Sequence, residues 1–388
     1  MANSRRHAVE LTGRSVAVAA AALVAAYVFT AVHFARSVVI PPPVRRDDIR
    51  VLGFDPDAAT VTLSVSPDSV LPGEYGFWFD AGRGHARLGQ VVSQDAATVV
   101  RRVIGTDLGD LATARTGRIA SWFYVDPAYL GFPFETVSVA TAIGPAPAWL
   151  FPADGGSGRW VIQVHGRAAR RLETLRAVPV FRAAGFTSLL ISYRNDGEAP
   201  ASEDGRYGLG DTEWEDVDAA VAFAIERGAT DIVLMGWSMG GATVLQAATR
   251  RLRDEVSGLV LESPVVNWVA ALEYQAKLLR LPRGVTAGVY ALIGRPWGRI
   301  FTGLHTAIDL DRLDFLRRAN ELAVPILLLH SDDDGYVPAA ASRTLAAARP
   351  DIVSFEPFTT ARHTRLWNYD RQRWEASIRS WLTGRGGA

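Results

Sequence analysis

The hydrophobic pattern divides the chain into three stretches. From Val16 to Ala35 it reads VAVAAAALVAAYVFTAVHFA, without a formally charged residue. As a helix, roughly 20 such residues cover the hydrocarbon core of a bilayer. Between residues 50 and 130 the apolar positions come in short alternating runs: Thr60 to Val65, Tyr75 to Phe79, Val99 to Ile104 and Ile119 to Val125. Gly, Pro and Asp punctuate them, which predicts small antiparallel strands. After about residue 132 a β-like run ends at Pro152, and the apolar runs become nearly continuous: Trp160–Val164, Leu189–Tyr193, Ile232–Met235, Leu259–Leu261 and Ile326–Leu329. Continuous hydrophobicity over strand length implies burial on both faces, as in a parallel sheet. Helical stretches separate these runs. One covers Leu172 to Ala184 and closes at Gly185. Another opens on a capping box, Thr212-Glu213-Trp214-Glu215, and carries Val217, Ala220, Val221 and Ala224 on one face. The alternation predicts a doubly wound α/β architecture with ligands at the carboxyl ends of its strands.

Charge and composition refine this division. Arg5, Arg6 and Arg14 precede the first apolar run, which places the N-terminus in the cytoplasm and everything after Arg36 outside. A cleaved signal peptide competes with this anchor reading, but the run is longer than a usual h-region and no A-x-A site follows. A buried Ala-rich helix is the third reading; Pro41, Pro42 and Pro43 read instead as a stiff spacer. The expected organisation is a cytoplasmic tail (1–14), a transmembrane anchor (15–36), a β-rich domain (37–131) and an α/β domain (132–388) with a helical cap at 266–320. The 388 residues hold 41 Lys and Arg against 41 Asp and Glu, a balance unlike that of a nucleic-acid-binding surface. The absence of Cys excludes disulfides, thiolate metal sites and cysteine nucleophiles, and the single lysine, Lys277, leaves little room for Schiff-base chemistry. In the β-rich stretch no clustered acids or metal-ligand spacings occur, and Asp80 and His85 read as turn or surface residues. No cofactor or metal is expected.

Gly236-Trp237-Ser238-Met239-Gly240 follows one buried strand directly and opens a helix. A strand-to-helix turn this sharp leaves no room for side chains two positions either side of Ser238, and the helix N-terminus beneath offers free N–H groups and a positive dipole. A Gly-rich turn without chemistry is the plainer alternative. A serine nucleophile needs a base, and the base needs an orienting acid. Of the seven histidines, His7 and His33 lie before or within the first apolar run, His85 in the β-rich stretch, His165 and His330 at strand ends and His305 in an intervening helical region. His363 follows the strand-like Ile352–Phe355 and precedes a final helix, where a base belongs. The strand ending at His330 leads into Ser331-Asp332-Asp333-Asp334-Gly335-Tyr336-Val337-Pro338. Three adjacent aspartates suggest a cation site at first, but hard-metal ligands come from spaced positions. A solvated acidic turn and a solvated loop histidine remain as alternatives.

The order Ser238, Asp334, His363 is similar to that of the α/β-hydrolase superfamily. Asp332 to Pro338 resembles its D-x-D-x-x-V-P acid loop, in which Asp334 would be the triad acid. Leu261-Glu262-Ser263-Pro264 resembles the following-strand signature of serine-aminopeptidase-like and single-pass-anchored branches, with Glu262 a reserve acid. His165-Gly166-Arg167 is similar to their H-G-x oxyanion loop, so the oxyanion donors would be the backbone N–H groups of Arg167 and Met239. Ser331 replaces the usual glycine, and Arg167-Ala168-Ala169 replaces a glycine-rich loop. The resemblance covers residues 132–388 and implies an α/β-hydrolase fold with a helical cap. It also implies a serine hydrolase acting on a small-molecule ester, or alternatively a peptide. The lipid bilayer is expected as partner of the N-terminal helix from its apolar run alone. A catalytically silent binding module is the remaining alternative. Arg167, Arg170, Arg171 and Arg176 suggest an anion receiver, or more plainly a solvated helix face.

Overall fold

The structure is a computed structural model, and it describes residues 2–42, 45–251 and 253–385, with side chains from residue 18 to residue 384. The side chains of Arg5, Arg6, His7 and Arg14, and Pro43 of the proline spacer, lie outside the described residues. The long helix α1 covers Ala2–Val39 and contains the apolar span Val18–Val39. A closed antiparallel barrel follows, made of β1 (Ile49–Asp55), β2 (Thr60–Ser64), β3 (Tyr75–Phe79), β4 (Gly84–Gln94), β5 (Thr98–Leu108) and β6 (Thr116–Ala120) in the order β1-β2-β5-β4-β3-β6. Closure removes the exposed edges that a small antiparallel sheet would otherwise present. The alternating runs supplied the inward face, Val61, Leu63, Tyr75, Phe77, Phe79, Val99 and Ile119, all buried.

His85 does not lie on the surface as its turn-rich surroundings suggested. It is fully buried, with Nδ1 2.8 Å from Asp107 and Nε2 3.2 Å from the Trp122 carbonyl oxygen. The carboxylate of Asp107 also accepts from Arg87 at 3.0 Å, so the buried imidazole is paired on both sides. Arg101 is buried as well, and its guanidinium donates to the carbonyls of Ser69, Leu71, Gly73 and Gly89. These bonds fix the loop between β2 and β3.

Residues beyond the barrel build an eight-stranded sheet: β7 (Glu135–Thr141), β8 (Gly144–Phe151), β9 (Arg159–Val164), β10 (Thr187–Ile191), β11 (Asp231–Trp237), β12 (Val256–Glu262), β13 (Ile326–Ser331) and β14 (Val353–Phe358). Its order is β14-β13-β12-β11-β9-β10-β8-β7, parallel from β14 to β10 and antiparallel at β8 and β7. The non-sequential step from β11 to β9 is the switch point where such sheets open a crevice at their carboxyl edge. Apolar cores line both faces, as the continuous runs required. The helices are α2 (Val178–Ala183), α3 (Trp214–Glu226), α4 (Met239–Arg250), α5 (Trp268–Leu278), α6 (Val285–Gly294), α7 (Arg299–Thr302), α8 (Ala339–Ala348), α9 (Leu366–Tyr369) and α10 (Arg371–Arg385). This is the α/β-hydrolase fold, with α5 to α7 forming the cap.

Three local expectations change. The capping box at Thr212 does not form. Helix α3 opens at Trp214, and Glu213 turns its carboxylate back onto the N–H groups of Gly208 and Gly210 at 2.7 and 2.8 Å. The stretch from Leu172 begins as 3-10 helix and becomes α only at Val178, although Gly185 does close it in the left-handed region. Most consequential, α1 is not held apart by its prolines. Its last turns, with Ala31, Phe34, Ala35, Val38 and Val39 buried, belong to the same core as the sheet and cap.

Candidate active site

Parallel strands point their carboxyl ends to one edge, and the residues singled out above converge there. Ser238 follows β11 with φ 52 and ψ −116, a conformation rarely adopted by a residue with a side chain. The glycines around it are sterically required. A Cβ on Gly236 would lie 2.5 Å from the Gly240 carbonyl oxygen, and one on Gly240 would lie 2.2 Å from that of Val164. Helix α4 begins at Met239, so its first N–H groups have no intrahelical acceptor.

His363, on the loop after β14, reaches this turn: its Nε2 is 2.9 Å from Ser238 Oγ. Its Nδ1 is 2.7 Å from Asp334 Oδ2, on the loop after β13. A carboxylate only accepts, so Nδ1–H donates to Asp334 and Nε2 is left to accept from the serine hydroxyl. Asp334 is almost completely buried. Its Oδ1 accepts from the N–H groups of Tyr336 and Val337, each at 2.8 Å, and His330 Nε2 stands 3.2 Å from Oδ2. Burial pushes this carboxyl's pKa up, but the charge of His363 and the hydrogen bonds from His330 and His363 outweigh it and hold Asp334 well below the usual carboxylate range. The two neighbouring aspartates take no part. Asp332 pairs with Arg343 and Asp333 with Arg362 at the surface.

The loop after β9 closes the other side. A Cβ on Gly166 would come 3.2 Å from Ser238 Cβ, so this backbone passes directly against the serine. The Gly166 carbonyl accepts from Tyr193 Oη at 3.0 Å, while its N–H points to Glu173 at 3.4 Å. A peptide is planar, so holding the Gly166 C=O also aims the N–H of Arg167. The Arg167 side chain is turned onto helix α1. It donates to the C-terminal carbonyls of α1: Nε to Val38 at 2.8 Å, and Nη2 to Ile40 at 3.0 Å and to Ser37. Cations favour helix C-termini for this reason. Arg171 and Arg176 are buried rather than on a solvated face, and Arg170 is exposed.

Glu262 is not a reserve acid. It is fully buried, and its Oε2 accepts from the indole N–H groups of Trp237 and Trp374, both at 2.8 Å, while Oε1 accepts from Leu366 N at 3.2 Å. Tyr193, Glu173, Arg365 and Asn368 stand out only in three dimensions. Arg365, two residues past His363, makes a bidentate pair with Asp68 of the barrel at 3.0 and 3.1 Å. Asn368 exchanges backbone and side-chain bonds with Glu74, both at 2.8 Å. No local pattern marks these residues, because their partners come from other elements, 27 positions away for Tyr193 and nearly three hundred for Arg365 and Asn368.

Comparison with known proteins agrees with this fold. A family described as "Alpha/beta hydrolase family" matches residues 156–376, more than half of the 388, and a "Domain of unknown function (DUF8805)" matches residues 50–120, which coincide with the barrel. The human protein named Protein ABHD12B is 28% identical over 189 residues, which make up 46% of this chain and 46% of that one. The Uncharacterized protein YqkD of Bacillus subtilis is 21% identical over 227 residues, covering 57% of this chain and 70% of that one. The chain thus spans less than half of the human relative's length. The solved esterase Pf2001 of Pyrococcus furiosus shares the fold, with a TM-score of 0.52 at 19% identity over 67% of this chain and 96% of its own.

Proposed function

Since the chain belongs to the α/β-hydrolase family, we propose that it is a membrane-anchored serine hydrolase cleaving carboxylic esters. The observation that carries this reading is the unbroken chain from Ser238 Oγ through the His363 ring to Asp334, at 2.9 and 2.7 Å. Ser238 Oγ attacks the ester carbonyl carbon while its proton passes to His363 Nε2. The carbonyl π electrons move onto oxygen, which the backbone N–H groups of Met239 and Arg167 receive. Collapse breaks the bond to the alcohol, which leaves with the proton from His363. Water then attacks the acyl-enzyme, giving its proton to His363, and the acid departs as Ser238 is restored. Asp334 remains ionised throughout, holding the tautomer and balancing the imidazolium charge.

Ester substrates are favoured by the cap. Helix α5 is tied to the acid loop by Tyr274 Oη, which donates to the Asp334 carbonyl at 3.0 Å, and by Gln275, which donates to the Tyr336 carbonyl at 2.8 Å. An apolar cap fastened there suits an acyl chain better than a charged peptide terminus. In this reading α1 enters a membrane, the N-terminus is cytoplasmic and the hydrolase faces the other side. A fluorophosphonate probe should label the protein and fail to label Ser238→Ala, and p-nitrophenyl esters should be cleaved faster than aminoacyl-nitroanilides. Faster nitroanilide cleavage would assign a peptidase. Absence of Ser238 labelling would leave a silent binding module.

A further inference from the structure

The cap carries a surface that the chemistry at Ser238 does not use. Leu278 and Leu279 end α5, Trp297 and Phe301 flank the last cap turn, and Ile300 is 86% exposed. Basic residues surround them. Between Trp268 and Gly303 stand Lys277, Arg280, Arg283, Arg295 and Arg299 against Glu273 alone, net +4 (five minus one) in a chain whose overall charge is zero. All five are exposed, and among the described residues none forms a side-chain ion pair. Helix α6 between the two clusters, VTAGVYALIG, has no charged residue.

Helix α1 says what covers this surface. Its apolar span, Val18–Val39, is 22 residues, or about 33 Å of helix. The second part of that span is not free to cross lipid alone. Tyr27 Oη donates to the Gly284 carbonyl, a Cβ on Gly288 would lie 3.2 Å from Ala31 Cβ, and Arg36 donates to the Phe301 carbonyl at 2.9 Å. The cap therefore lies against α1 from Tyr27 onward. Residues 18 to 26, nine positions or about 14 Å, project without it, roughly half of a hydrocarbon core. An unaccompanied apolar stretch this short spans only if the cap beside the rest of the helix descends into the interface. The cap edge has the composition for that: leucines and a tryptophan for the acyl boundary, with arginines and a lysine long enough to reach the phosphates.

We infer that the cap edge, Lys277 to Arg283 together with Arg295 to Phe301, is a second membrane contact, seated beside α1 on a bilayer bearing anionic headgroups. The inference rests on the reading that α1 enters a membrane. Helix α5 links this contact to the acid loop through Tyr274 and Gln275.

The full chain lacks cysteine, so a nitroxide at one introduced cysteine reports one place. Leu279→Cys, Ile300→Cys, Val24→Cys on α1 and Ile104→Cys on the barrel replace exposed side chains, and each variant is checked for unchanged ester hydrolysis before use. In proteoliposomes of phosphatidylcholine with one quarter phosphatidylglycerol, collision with oxygen against a water-soluble nickel chelate separates lipid from water. Positions 24, 279 and 300 should report lipid, and 104 water. Charge reversal at Lys277, Arg280 or Arg283 should lower the docked-to-undocked ratio at 279 about fivefold per residue. Labels at 279 and 300 in water with 24 in lipid would overturn the cap contact and leave the anchor standing. A label at 24 in water would remove the anchor itself, and the cap contact with it. Equal docking on pure phosphatidylcholine would overturn the anionic preference.

Discussion

The barrel and helix α1 both lie outside the sheet, and each supports a different side of the Ser238 turn by different physics. The barrel reaches the segment after His363 through polar contacts: the Asp68 carboxylate on Arg365, and the backbone of Glu74 on Asn368. Helix α1 reaches the loop at Gly166 through backbone carbonyls clamped by Arg167, and is itself held in the core of sheet and cap by Phe34, Ala35, Val38 and Val39. One support depends in part on ionisation. The other depends on burial, which neither pH nor salt removes. The difference teaches that a catalytic edge is held by whatever the neighbouring element can offer, and that each support fails under its own conditions.

If both elements only support, the largest loss belongs to the centre they share. Asp334→Asn should lower kcat about 10⁴-fold while the fold persists, because the amide stabilises the wrong tautomer of His363. Its stability effect has a definite sign with pH. The folded-state pKa of Asp334 is depressed, so its ionisation stabilises the fold above the unfolded value, about 3.9, and that contribution is lost as pH falls. Denaturant midpoints of the parent and Asp334→Asn should therefore differ at pH 7, and the gap should begin to narrow only below about pH 4.

Arg167→Ala ranks second. It strips the cation from the carbonyls of Val38 and Ile40, and should cost about 2 kcal/mol of stability, measured by denaturant unfolding in detergent. It should also lower kcat about tenfold, with KM little changed, if the loop at Gly166 loosens. A kcat unaffected by this variant would separate α1 from the site and break the comparison.

Asp68→Asn should have the smallest effect. The pair with Arg365 is partly exposed, so its contribution is under about 1 kcal/mol, and kcat should fall only a few-fold. Burial opposes ionisation of Asp68, but Arg365 and Arg45 outweigh it and depress its pKa. The parent's advantage over Asp68→Asn is thus present at neutral pH and disappears as the medium is acidified below about 4. The Arg167→Ala deficit should persist across that range, which sharpens the contrast between the two supports.

Much of the sheet and the candidate site was legible along the chain. Continuous apolar runs announce strands buried on both faces. Ser238 and Asp334 each sit just after such a run and His363 after the strand-like Ile352–Phe355, so parallel strands deliver all three to one edge. The glycines at 236 and 240 mark a turn too tight for side chains. Local chemistry determined these features because their causes lie within a few residues.

What remained hidden depends on partners distant in sequence. Alternation shows that one face of a strand is covered, not that six strands close into a barrel or that His85 finds Asp107 inside it. The pattern of α1 is equally apolar whether lipid or a cap lies against it; only packing joined its last turns to α6 and the core. Along the chain Arg167 reads as an anion receiver or a solvated arginine, and Glu262 as a reserve acid. Tertiary structure engaged one with helix-end carbonyls and the other with indole and backbone N–H groups. A backbone carbonyl carries no sequence identity, so no reading along the chain could have paired it with a guanidinium 127 to 130 positions away.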